Sequence, residues 1–128
     1  MTDGRKVGLV VRDRASSGVA GAVILSEIVR GPFLSAYLSY YGAVALAGRG
    51  LMTEGVRLSV RHAFEVLGLH RLEANIQPGN LRSVALVRRL GFRKEGFSPR
   101  YLKVDGDWRD HERWALLADG VMSDERIE

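Results

Sequence analysis

The order of hydrophobic patterns in this 128-residue chain predicts an α+β protein: a mixed, centrally parallel sheet flanked by helices. Three observations carry that prediction. Two amphipathic helical patterns each stand between strand-like runs, an arrangement that calls for right-handed parallel crossovers. The runs at both ends of the chain are joined by short turns, which makes those parts antiparallel. Between the third strand-like run and the first helix stands Gly48-Arg49-Gly50, a glycine-bracketed turn of the kind that opens an anion-binding helix.

Val7 to Arg12 reads as the first strand and Ala15-Ser16-Ser17-Gly18 as its turn. Val19 to Val29 returns alongside it, and Arg30-Gly31-Pro32 makes a second turn. Phe33 to Leu46 is β-rich, with aromatics at Tyr37, Tyr40 and Tyr41, and completes a meander. The helix after the glycines carries Met52, Val56, Ser59, Ala63, Phe64 and Leu67 on one stripe, with Arg57 and Arg61 outside it. Gly68 is placed to end that helix in a left-handed cap. Leu72, Ala74 and Ile76 alternate with Glu73, Asn75 and Gln77, the signature of a half-buried strand, and Pro78-Gly79 breaks it. Asn80 is the expected N-cap of a second helix running to Leu90, with Gly91 as its stop. Phe97 to Val104 and Trp108 to Leu117 flank Asp105-Gly106, a strong hairpin signal.

Composition bounds the function. The 46% hydrophobic content can fill one core, so residues 1–128 are expected to form one domain. The absence of cysteine excludes disulfides, thiolate zinc sites and a cysteine nucleophile. His62, His70 and His111 are too scattered to suggest a histidine metal site. No membrane span or signal peptide is expected; the uncharged stretch Ala15 to Ser26 falls far below the roughly 18–20 residues of a span. A cytoplasmic protein is the default. The formal charge of +4 favours an anionic partner, but no arginine-rich arm or aromatic-studded strand points to direct nucleic-acid readout.

The glycine turn leaves backbone N–H groups unpaired at the positive end of a helix dipole, which suits a phosphate or pyrophosphate. Two familiar phosphate motifs fail here. A P-loop needs Gly-Lys-Ser/Thr, which neither Gly50-Leu51 nor Gly55-Val56 supplies, and a dinucleotide fingerprint needs glycine where Thr53 stands.

The run from about Val19 to Leu117 resembles the GNAT superfamily of acyl-CoA-dependent N-acyltransferases, and within it the RimJ-type ribosomal-protein alanine N-acetyltransferases. The segments that carry the resemblance are Ile28-Val29-Arg30-Gly31, Gly48-Arg49-Gly50-Leu51-Met52-Thr53-Glu54, His70-Arg71, Asn80-Leu81-Arg82-Ser83, Arg89-Leu90-Gly91-Phe92, Lys94-Glu95-Gly96 and Val104 to His111. The resemblance implies acetyl-CoA as co-substrate, with the family's pyrophosphate loop falling on Ala47 to Met52. The backbone amides of Gly48, Arg49, Gly50, Leu51, Met52 and Thr53 would grip the pyrophosphate. Two signature positions depart: Ala47 replaces a Gln/Arg donor, and Met52 replaces a small residue. Ala43, Val44 and Leu46, at the end of the third strand, would pair through their backbone with the pantetheine arm. Asn80 would bond that arm from the second helix, as well as capping it. Ser83, one turn later, would lie near the thioester sulfur and protonate the departing thiolate.

The implied chemistry is direct attack by a free amine, which must first lose a proton. At neutral pH, freeing a protein α-amine costs roughly 1–1.4 kcal/mol, whereas freeing a lysine costs nearly 5 kcal/mol. An α-amine therefore tolerates a weak base, in keeping with a chain that shows no strong one. Glu27, on the second strand, is the best base candidate; the position where related enzymes often carry an acid is Tyr37 here. Tyr101 and Asp110 could shape the acceptor pocket, although packing or hairpin pairing is the stronger expectation for both. Relative to the resemblance, the usual N-terminal strand and two helices are missing before Val7. That predicts an incomplete acceptor groove, exposure of some of Val7, Leu9 and Val11, and homodimerisation to cover them. The expected activity is N-acetylation of a protein N-terminus of the ribosomal-protein alanine type. A small-molecule amine, or a catalytically weak CoA-binding regulatory role, stand as alternatives.

Overall fold

A computed structural model describes residues 6–15, 18–42 and 50–119. Its strands are β1 (Val7–Arg12), β2 (Val19–Val29), β3 (Ser35–Gly42), β4 (Arg71–Ile76), β5 (Arg93–Val104) and β6 (Asp107–Leu117). The helices are α1 (Leu51–Arg61) and α2 (Leu81–Arg89). The strands form one sheet in the order β1-β2-β3-β4-β6-β5. Only β3 and β4 pair in parallel; every other neighbouring pair is antiparallel. The mixed, centrally parallel sheet is as expected. The second crossover differs in one respect, since β6 inserts between β4 and the parallel β5.

Both helices cover the same face. Val56 and Val60 of α1, and Leu86 and Val87 of α2, share one buried cluster with Val23, Leu25, Leu38, Leu72, Ala74 and Trp114. The register explains it: Leu25 lies opposite Leu38, Ala36 beside Leu72, and Ala74 opposite Trp114, so their side chains point to one side. Fully burying each aliphatic side chain of this kind stabilises the fold by about 1.5–3 kcal/mol. Beyond Arg61, α1 continues as one π-helical turn, His62–Val66, which turns Ala63 into the core. The Arg30 guanidinium donates to the Leu67 carbonyl, and Gly68 stops the helix at φ +71°. Arg88 lies over the Trp114 ring at 5.4 Å, a cation–π contact that ties α2 to β6.

Several boundaries moved for identifiable reasons. The third strand starts at Ser35, not Phe33, because Leu34 adopts a left-handed backbone with φ +46°. Its carbonyl then accepts from the N–H groups of His70 (2.6 Å) and Arg71 (3.2 Å), which fixes β3 beside β4. The expected end of that strand, Ala43 to Leu46, lies outside the described residues. β5 begins at Arg93, four residues before Phe97, and its charged start is held by Arg71–Glu95 and Lys94–Glu112 ion pairs. Asp105 (φ +52°) and Gly106 (φ +86°) form the anticipated hairpin turn.

The expected exposure of Val7, Leu9 and Val11 is not found. All three are partly buried and pack against the core cluster, while Val10, pointing the other way, is 61% exposed. The reason is register. Val7 pairs with Leu25 and Leu9 with Val23, so they share the helix-covered face. Those three residues therefore offer no apolar surface for a dimer to cover. The uncharged run Gly31 to Gly48 is longer than Ala15 to Ser26, but it carries β3 as a strand. No helix among the described residues is long and apolar enough to cross a membrane.

Met52, the departure from the family's small residue, has a structural partner. Gly21 and Gly42 face each other across β2 and β3, and the Met52 side chain lies over both. A Cβ on Gly21 would stand 2.6 Å from Met52 Sδ and would press still closer on the Tyr41 carbonyl oxygen. Because a carbonyl of the sheet cannot yield as a side-chain tip does, Gly21→Ala is expected to destabilise the fold by about 2 kcal/mol. Denaturant unfolding would check this; an unchanged midpoint would mean that the two strands are looser than the structure has them.

Candidate active site

The parallel pairing of β3 with β4 is short. It covers Ser35–Arg71, Ala36–Leu72 and Tyr37–Glu73, and stops there. Leu38 to Gly42 and Ala74 to Ile76 continue as strands without pairing with each other, so the sheet forks at its centre. The fork leaves strand edges with unmet backbone donors and acceptors, which an extended ligand can satisfy. Both helices start from its open end, because α1 follows β3 and α2 follows β4.

Gly50 is the N-cap of α1, with φ +75° and ψ 2°, and no side chain caps that end. Its carbonyl accepts from the Glu54 N–H at 3.1 Å. The amides of Leu51, Met52 and Thr53 lie in the first turn, where a helix has no acceptor of its own. Among the described residues nothing stands within 4 Å of where a Cβ on Gly50 would be. Gly48 and Arg49, together with Ala43, Val44 and Leu46, lie outside the described residues.

Asn80 caps α2: its Oδ1 accepts from the Ser83 N–H at 3.2 Å, which leaves the Nδ2 donors for another group. Tyr40, on β3, reaches across the fork and donates from its hydroxyl to the Ser83 carbonyl at 3.4 Å. Burial pushes the Tyr40 hydroxyl above the usual phenol range, and a hydrogen bond with the Ser83 side chain opposes that shift. The Asn80 and Tyr40 hydrogen bonds use the Ser83 backbone, and the Ser83 hydroxyl makes its own side-chain contact with the Tyr40 hydroxyl.

The face away from the helices carries a second group. Tyr37 stands beside Glu73 in register, at the crotch of the fork. Its hydroxyl is raised above the ordinary phenol range, first by partial burial, then by Tyr101, Glu73 and Glu27. Glu27 comes close to Tyr37 because β2 bulges between Ser26 and Val29, with Glu27 at φ +49°. Arg71 holds Glu95 in a two-pronged contact (2.7 and 3.0 Å) and Glu73 at 3.0 Å. That contact keeps the Glu95 carboxyl below the usual range and the Arg71 guanidinium above its own. Asn75, two residues past Glu73 on the same face, has a buried side-chain oxygen without a hydrogen-bond partner among the described residues.

The hairpin residues divide. Asp110 accepts from the Arg100 N–H at 2.9 Å where β5 and β6 lose register, so its carboxylate serves the hairpin. Tyr101 packs edge-on against the buried His111 ring at 6.3 Å and also meets Tyr37. No group of metal-ligating side chains gathers among the described residues.

The sequence pattern separated outward Glu73 and Asn75 from inward Leu72, Ala74 and Ile76, yet it gave them no role. What it lacked was the parallel register that sets Glu73 beside Tyr37 and leaves Asn75 just past the pairing. Tyr40 was visible only as a strand aromatic for the same reason.

Comparison with known proteins gives a family. A model described as an acetyltransferase (GNAT) domain matches residues 1–93. The [ribosomal protein uS5]-alanine N-acetyltransferase of Escherichia coli is 42% identical over 98 residues, covering 77% of this chain and 50% of that protein. The structure of Mycobacterium smegmatis RimJ in complex with CoA-disulfide superimposes with a TM-score of 0.86 at 34% identity, over 91% of this chain and 55% of that one. A chimera of the Vibrio cholerae spermidine N-acetyltransferase SpeG with hSSAT superimposes with a TM-score of 0.84 at 25% identity, over 94% and 71%. The chain spans about half the length of the first curated relatives it matches.

Proposed function

The chain belongs to the GNAT acetyltransferase family, and on that premise we propose that it uses acetyl-CoA to acetylate an amine, most directly the α-amine of a protein N-terminus beginning with alanine. The observation that carries this reading is the fork. Two helix starts, at Gly50 and Asn80, meet its open end on one face, and an acidic, tyrosine-lined group lies on the other.

Acetyl-CoA, when bound, supplies an acetyl group already activated as a thioester. The helix end at Gly50 suits its pyrophosphate, with the amides of Leu51, Met52 and Thr53 as donors and Gly48 and Arg49 completing the loop. Ala43, Val44 and Leu46 offer backbone groups to the pantetheine arm, and the Asn80 Nδ2 offers a further donor. The Met52 side chain packs onto Gly21 and Gly42, which leaves its backbone amide to the pyrophosphate. The Ser83 hydroxyl, beside the Tyr40 hydroxyl, donates a proton to the departing sulfur. Glu27 takes the proton that the incoming ammonium must lose, an easy task for an α-amine.

A ribosomal protein is the acceptor that the 42% identical relative suggests, and such an acceptor places the reaction in the cytoplasm. The likeness to a spermidine N-acetyltransferase supports a small polyamine as the second reading. A panel of peptides differing in their first residue, with spermidine alongside, separates the two when thiol release from acetyl-CoA is followed. The reading expects the fastest release with alanine at the first position. Faster release with spermidine would replace it by the second reading, and release independent of any amine would remove both.

A further inference from the structure

We propose that Asn75 is an anchor for the acceptor amine, its side-chain oxygen accepting a hydrogen bond from the attacking nitrogen; this rests on the acetyltransferase reading above. Among the described residues the buried Asn75 Oδ1 has no hydrogen-bond partner, an arrangement that native proteins rarely keep without a use for it. Its place in the fold says what kind of partner it awaits. Asn75 pairs with Arg113 on one side, but on the other β4 has already parted from β3, whose last paired residues are Tyr37 and Glu73. The amide therefore stands in the fork itself, on the face away from the helices.

Around it Glu27, Glu73 and Glu95 outnumber Arg71 and Arg113, a balance that favours a cation. Glu73 precedes Asn75 by two residues on the same face, and Glu27 approaches Tyr37 from the bulge in β2. Arg71 is shared between Glu73 and Glu95, with the two-pronged contact going to Glu95, so Glu73 is only partly neutralised. An ammonium is drawn to such a site, and once deprotonated it still keeps N–H donors for Asn75. The cofactor's expected partners, the first turn of α1, Asn80 and Ser83, belong to the helix side of the sheet. An acceptor oxygen on the opposite face accordingly meets the amine rather than the pantetheine arm. Asn75 positions the nitrogen; it takes no proton.

The test is a binding measurement on the CoA-loaded chain, titrated calorimetrically with an alanine-initiated tetrapeptide. Asn75→Leu keeps the shape of the side chain but removes the oxygen. It is expected to bind CoA as the wild type does, to bind the peptide about tenfold or more weaker, and to melt no lower. Asn75→Asp, which retains the acceptor, is expected to recover peptide binding. Equal peptide affinity in Asn75→Leu would overturn the assignment, as would weakened CoA binding or a lower melting midpoint, either of which would give the oxygen a different role. A wild-type chain that binds CoA but no peptide also overturns it. A wild-type chain that binds no CoA overturns the acetyltransferase reading first.

Discussion

Replacing Gly50 by glutamate is expected to weaken acetyl-CoA binding by about a hundredfold or more while the sheet stays folded. Two separable effects are at work. At φ +75° any side chain strains the backbone, at a cost of about 1 kcal/mol. Space is not the difficulty, since nothing among the described residues lies within 4 Å of the new Cβ. The carboxylate, however, enters where a pyrophosphate would sit. Two unit charges about 5 Å apart at an effective dielectric constant of about 20 repel by roughly 3 kcal/mol, or about two decades in affinity. Gly50→Ala separates the effects, because it carries the strain without the charge and is expected to lose stability but little affinity. Calorimetric titration reads both variants. Normal binding by Gly50→Glu would mean that the loop has been misassigned.

Ser83→Ala is expected to lower turnover by about a hundredfold and to shift acetyl-CoA affinity by less than about twofold. A group that protonates a leaving thiolate acts only as the bond breaks, so its loss appears in kcat rather than in binding. The structure makes the substitution a clean one. Asn80 caps α2 through the Ser83 N–H, and Tyr40 bonds the Ser83 carbonyl, so removing the hydroxyl keeps both backbone contacts and takes away only its side-chain contact with Tyr40. Steady-state kinetics with a saturating alanine peptide measures the effect. Unchanged turnover would reduce Ser83 to a helix residue and give the proton to water or to Tyr40.

The sheet was legible in the sequence because local patterns carry it: alternation in β4, the helical stripe of α1, and the Asp105-Gly106 turn. The fork was not, since a break in pairing between strands about 30 residues apart leaves no local signal. Glu27 could be placed on β2, but its approach to Tyr37 depends on a bulge that only the strand register reveals. The sequence pattern started β5 at Phe97 because no periodicity announces a strand that begins Arg93-Lys94-Glu95. Long-range ion pairs, Arg71 with Glu95 and Lys94 with Glu112, hold that start in place. The glycine loop shows the opposite balance: sequence pattern marked Gly48-Arg49-Gly50 at once, and the structure describes only its last residue, at the cap of α1.

The central claim is that the CoA thioester occupies the helix side of the fork. Backbone amide NMR of the isotopically labelled chain, titrated with acetyl-CoA, tests it most directly. The account predicts the largest shifts at Gly50 to Thr53 and at Asn80 to Ser83, with Asp105-Gly106 unmoved. A saturating titration that leaves those two helix starts in place and moves amides elsewhere would contradict it.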